Sequence, residues 1–168
     1  MSRHGYLEDD GHSEYPLALW RRAVTSAING KRGQAFLREL VAALDALPDK
    51  VLIAEALAED GAYCAIGSVG AGRGMDMSQL DPEYPEGIAQ AFGIAPALVR
   101  EIEWMNDDQP CSPAERWKLV RDWAVRNTRE AQRQSAAGGG KHDAHPNPQP
   151  PARRRAARWA GAYHTLAQ

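Results

Sequence analysis

Leu37, Leu40, Val41, Leu44 and Leu47 recur at spacings of three and four and stop at Pro48, a pattern that only a helix turns to one side. The same period returns upstream: Leu17, Trp20, Val24, Ala27 and Ile28 stand behind Pro16, predicting a helix over 16–28 that ends at Asn29-Gly30. The second helix is then expected from Gln34 to Leu47, and the two pack as a hairpin. Downstream, Asp81-Pro82 reads as an N-cap with proline in the first turn, opening a helix that stops at Gly93. Pro96 opens the next, with Leu98, Val99, Ile102 and Met105 on one face. Its end carries Asp107 and Asp108, which oppose the helix dipole unless something basic covers them. Ser112-Pro113-Ala114-Glu115 is a capping box, and Trp117, Val120, Trp123 and Ala124 give the helix behind it a buried face.

Residues 51–69 are more ambiguous. Apolar runs at 51–57 and 63–69 flank the turn signal Glu59-Asp60-Gly61, which suits a β-hairpin, although the alanines in 51–58 suit a short helix equally well. The glycines of 67–74 lack both the lysine and hydroxyl of a phosphate loop and the GxGxxG spacing, so this segment is read as a flexible turn. The expected fold is therefore mainly α, a single domain of about five helices over 16–134 with room for one short hairpin. Residues 1–15 are expected to be flexible, and the Gly/Pro-rich tail at 135–168 to be disordered.

Composition narrows the function classes. At 43% hydrophobic and 25% charged the chain is neither fibrous nor disordered throughout. No apolar run approaches the roughly 20 residues of a membrane span, and the N-terminus is polar, so a cytoplasmic protein without a membrane partner is expected. Cys64 and Cys111 lack CxxC partners and are read as thiols, Cys64 as a core residue. Between the first residues and the tail there is no histidine, and Glu101 and Glu103, two apart on a helix, diverge. No catalytic residue, metal ligand, cofactor or small-molecule substrate is evident, and the chain is read as non-enzymatic.

Charge is polarised along the chain. Over 17–40 Arg21, Arg22, Lys31, Arg32 and Arg38 face Glu39 alone, whereas over 75–109 eight acids, among them Glu101, Glu103, Asp107 and Asp108, face only Arg100. In the tail Lys141, Arg153, Arg154, Arg155 and Arg158 outnumber Asp143. Two binding surfaces emerge as candidates: Glu101, Glu103, Asp107 and Asp108 towards a protein partner, and Arg21, Arg22, Lys31, Arg32, Arg153, Arg154 and Arg155 towards nucleic acid.

Ala89, Gly93, Val99 and Ile102 have the spacing of a helix-turn-helix, to which 88–102 is similar; a small residue lets the helices cross and glycine makes the turn. The acids of the second helix oppose a DNA-reading role, so a structural corner is the preferred reading. On a larger scale, Trp20 to Ile28, Gly30 to Leu40, Cys64-Ala65-Ile66-Gly67, Arg73-Gly74-Met75-Asp76, Phe92-Gly93-Ile94-Ala95 and Ser112 to Trp117 resemble a family of small uncharacterised proteins of tailed phages and prophages of proteobacteria. The resemblance spans roughly 16–126 and implies provenance rather than activity. The function expected is that of a phage-type accessory protein binding a host or phage macromolecule, such as a defence or replication factor, through its acidic face. A helix-turn-helix-like DNA-binding regulator is the alternative.

Overall fold

The computed structural model describes residues 14–129 and 133; the flexibility expected of the first residues and the disorder expected of the tail lie outside them. Among the described residues the order is α1 (Glu14–Asn29), α2 (Lys31–Ala46), β1 (Ala58–Glu59), β2 (Ala62–Tyr63), α3 (Ala65–Gly72), a 3-10 turn (Met77–Gln79), α4 (Pro85–Phe92), α5 (Pro96–Asp107) and α6 (Pro113–Arg126). The fold is mainly helical with one small antiparallel hairpin, as the periodicity implies. None of these helices is long and apolar enough to cross a membrane.

α2 and α5 form the centre. α2 packs on α1, α3 and α6, and α5 packs on α1, α3, α4 and α6. Phe36, Leu37, Leu40 and Leu44 of α2 meet Leu98, Val99 and Ile102 of α5, Ile66 and Val69 of α3 and Val120 of α6 in one continuous core. Phe36 and Phe92 meet edge to face at 6.1 Å, and the Arg73 guanidinium lies over both rings while gripping Glu39 through two bonds of 2.7 and 2.6 Å.

Three expectations are corrected. The glycine-rich segment is neither a flexible turn nor a phosphate loop but the buried helix α3. Glycine costs about 1 kcal/mol of helix propensity, and two of the glycines in α3 are matched by close packing: a Cβ on Gly67 would sit 1.8 Å from the Leu57 carbonyl oxygen and one on Gly70 would sit 2.6 Å from the Met77 sulfur, whereas Gly72 is in open space. Cys64 caps this helix, its Sγ accepting from Gly67 N at 3.4 Å.

The hairpin is confined to two pairs, Ala58 with Tyr63 and Glu59 with Ala62. Asp60 and Gly61 take φ of 49° and 81°, the left-handed pair that an Asp-Gly turn provides. Upstream, 51–57 forms neither a strand nor a helix, because its backbone is held by other partners. Leu52 N donates to Pro113 O, Glu55 N donates to Asp107 Oδ1, and Asn106 Nδ2 donates to Ile53 O.

The helix expected to open at Asp81-Pro82 opens at Pro85. A residue preceding proline is pushed out of the helical region, so a helix running through Tyr84 into Pro85 is blocked, and Tyr84 lies at φ −116°, ψ 79°. The Asp81 carboxylate instead closes a local turn on Glu83 N at 2.9 Å. α4 does end at Gly93, at φ 71°, as expected. The acidic end of α5 is also accounted for: Arg116 donates to the Asn106 carbonyl at 2.6 Å, placing a cation on that terminus.

Candidate anion-binding cleft at the α1–α2 elbow

α2 starts at Lys31, three residues earlier than its apolar stripe suggests, because Gly30 serves as its N-cap. Lys31 and Arg32 therefore occupy the first helical turn. Two features force the elbow shut: a Cβ on Gly33 would lie 1.9 Å from the Ala27 carbonyl oxygen, and the buried Gln34 donates to Ile28 O at 2.9 Å. The N-terminus of α2 is thereby pressed against the last turn of α1.

α5 packs against α1 and brings its own N-terminus to the same place. A cleft of about 430 Å³ results, walled by Ala23, Ser26 and Ala27 of α1, by 30–33 at the elbow and by Ala95, Pro96 and Ala97. Its walls carry two cations and no acid.

The two helix starts facing this cleft differ from those of α4 and α6, which hold Glu86 and Glu115 in their first turns; α2 and α5 have no acidic residue there, and neither Gly30 nor Ala95 provides a side-chain cap. Backbone N–H groups of a first turn lack the usual i−4 partner, and their dipoles sum to a partial positive charge; in α5 Pro96 has no N–H and Leu98 N donates to Ala95 O at 2.9 Å, which leaves Ala97 N–H as the donor of that start. Lys31 and Arg32 add cations to the positive end of α2, an arrangement that costs roughly 0.3–1 kcal/mol per charge and that a bound anion reverses. Among the described residues no ion pair engages Arg21, Arg22, Lys31 or Arg32, whereas Arg73, Arg100 and Arg121 are each held by a carboxylate.

Of the basic candidates, Lys31 and Arg32 line the cleft and are exposed. Arg22, also exposed, lies one turn before Ser26 but is not part of the cleft wall, and Arg21 is about 100° round the helix from it. Arg153, Arg154 and Arg155 lie outside the described residues.

The acidic candidates do not form one surface. Glu103 is 1% exposed and Glu101 9%, both inside the fold, while Asp107 is half-buried against the 51–57 segment and Asp108 is exposed. The reason is the position of α5, which is covered by four helices so that even its polar positions turn inward. The same enclosure bears on the helix-turn-helix resemblance. Ala89, Val99 and Ile102 are buried around Gly93, as a packed corner requires, but α5 leaves little surface to lay in a groove. Ser26 and 95–97 were not among the sequence candidates; the missing first-turn acids behind Gly30 and Ala95 were the available signal.

Among the described residues no group of three or more His, Cys, Asp or Glu side chains is placed to hold a metal ion. Comparison with known proteins found no family model, no curated protein and no solved structure that matches the chain.

Proposed function

We propose that this chain is a non-enzymatic binding protein that engages the phosphate backbone of a nucleic acid at the α1–α2 elbow. The observation that carries this reading is the convergence of two helix N-termini, without acids or side-chain caps, on a cleft rimmed by the unpaired Lys31 and Arg32. Small walls at Ala23, Ala27, Gly30 and Ala97 admit a phosphate to the backbone. Such contacts are independent of sequence, which agrees with a fold whose helix-turn-helix-like corner is enclosed. The resemblance to phage and prophage proteins suits a role on phage or host nucleic acid in a bacterial cytoplasm.

The test is a fluorescence-anisotropy titration of duplex DNA over a range of salt. Wild-type binding should weaken as salt rises, and Lys31→Ala with Arg32→Ala should make the log–log slope shallower by about 2. An unchanged slope removes the cleft from the account.

A protein partner is the second reading. It is favoured by the exposure of Asp81, Glu83 and Asp108, acids that remain outside after Glu101 and Glu103 turn inward. It requires that charge reversal at Asp81 and Glu83 abolish capture of a basic partner, and retained capture would exclude it.

A further inference from the structure

Asn29-Gly30, where α1 ends and the elbow begins, is a dipeptide with chemistry of its own. In a free chain the backbone nitrogen after an asparagine attacks the side-chain carbonyl carbon, and glycine, having no Cβ, hinders that approach least. The bond from Gly30 N to Asn29 Cγ forms, the Cγ–Nδ2 bond breaks, and ammonia leaves carrying the Gly30 amide proton. Water then opens the cyclic imide at either carbonyl, giving aspartate or its β-linked isomer. Water is the only co-reactant, and the exposed Asn29 side chain meets it directly.

The fold holds every atom this reaction needs. Gly30 N, the nucleophile, donates to Ser26 O at 3.0 Å. Asn29 Nδ2, the leaving group, donates to Thr25 O at 2.9 Å, which holds the side-chain amide back along α1. Asn29 O, on the same peptide unit as Gly30 N–H, accepts from the Arg129 guanidinium. Arg129 is itself fixed by the buried Gln34, whose Oε1 accepts from Arg129 N at 2.8 Å while its Nε2 donates to Ile28 O and to Asn127 O, each at 2.9 Å. Gly30 N reaches Cγ only by rotation of the peptide joining residues 29 and 30. That rotation breaks the Ser26 and Arg129 bonds together, so the end of α6 and the last turn of α1 oppose it jointly.

We infer that Asn29 is a latent deamidation site, closed by the clasp of Arg129 and Gln34 and opened when the end of α6 releases the elbow. The product differs from the parent where the structure is sensitive to charge. A carboxylate at residue 29 stands at the negative end of the α1 dipole and replaces the donor on Thr25 O with another acceptor, so the modified elbow closes less firmly. On the nucleic-acid reading above, a negative charge two residues before Lys31 also weakens the hold on phosphate; the modification itself does not depend on that reading.

The experiment incubates the full-length protein in mildly alkaline buffer and follows the peptide containing Asn29 by mass spectrometry, in native wild type, native Arg129→Ala and wild type unfolded in urea. Native wild type should deamidate at least about a hundredfold more slowly than the unfolded chain. Arg129→Ala should deamidate about tenfold faster than native wild type, the weight of one hydrogen bond from a charged group. Native wild type that deamidates as fast as the unfolded chain overturns the closed site. A folded Arg129→Ala protein that deamidates no faster than wild type overturns the gating by α6. Hydrogen exchange at Gly30 in wild type tests the same closure without any variant, because the N–H that exchanges belongs to the attacking nitrogen: it should be protected, and exchange at the unfolded rate overturns the inference.

Discussion

Gly33 and Ala27 are in such close backbone contact that the space a Cβ on Gly33 would need is occupied, 1.9 Å away, by the Ala27 carbonyl oxygen. The obstruction is backbone, so no rotamer relieves it; α1 and α2 must separate. Gly33→Ala should therefore lower stability by about 1–3 kcal/mol, against the usual small gain for Gly→Ala in a helix. It should also weaken DNA binding, because the elbow that forms the cleft opens. Thermal unfolding and a DNA titration of the same protein check both effects, and an unchanged melting temperature contradicts the close contact.

Glu103 lies inside the fold, not on an acidic docking face. Replacing it by lysine forces a longer side chain of opposite charge into a packed interior, so Glu103→Lys should cost on the order of 3 kcal/mol or prevent folding. Urea denaturation checks this. Glu83→Lys, at an exposed turn, should leave the midpoint nearly unchanged.

Asn106 connects three parts of the chain: its Oδ1 accepts from Ala65 N at 3.1 Å at the start of α3, and its Nδ2 donates to Ile53 O at 2.8 Å. Asn106→Ala leaves buried backbone groups without those partners, at a cost of about 1–3 kcal/mol for each. Hydrogen exchange should show the 51–57 segment and the first turn of α3 losing protection before α1 and α2 do. Uniform loss across the fold contradicts this local role.

The Glu39 carboxyl is held below its usual pKa of 4.5, chiefly by the hydrogen bonds from Arg73, with its charge adding to them and burial opposing. A depressed folded-state pKa means that stability is present above pH 4.5 and is lost as the pH falls through the lower folded value. Glu39→Gln should thus be less stable than wild type near neutrality, with the gap closing below that window. The pair is partly exposed, so the effect is modest. Urea midpoints measured from pH 7 to pH 3 test the sign.

Much of the fold is legible in local chemistry. The stripe from Leu37 to Leu47, the Ser112 capping box and the stop at Gly93 depend on neighbours a few residues away, and each appears where its pattern puts it. The misreadings share a different cause. α3 is a helix because Gly67 lets Leu57 approach, a relationship that spacing cannot show. The 51–57 segment is held by Asn106, Asp107 and Pro113, all distant in sequence. The candidate site divides in the same way: the basic character of Lys31 and Arg32 is plain in the sequence, whereas the meeting of α5's N-terminus with theirs is a tertiary fact. The inward turn of Glu101 and Glu103 results from α5 being central, which its polar residues conceal.

The most direct test of the elbow as a phosphate-backbone site is an amide chemical-shift titration of the full-length protein with a short DNA duplex at low salt. The largest shifts should fall on Lys31, Arg32, Gly33 and Ala97, where the two helix starts meet, and they should fade as salt is raised. Shifts confined to the tail, or centred on the hairpin at Glu59 to Gly61, would contradict the account.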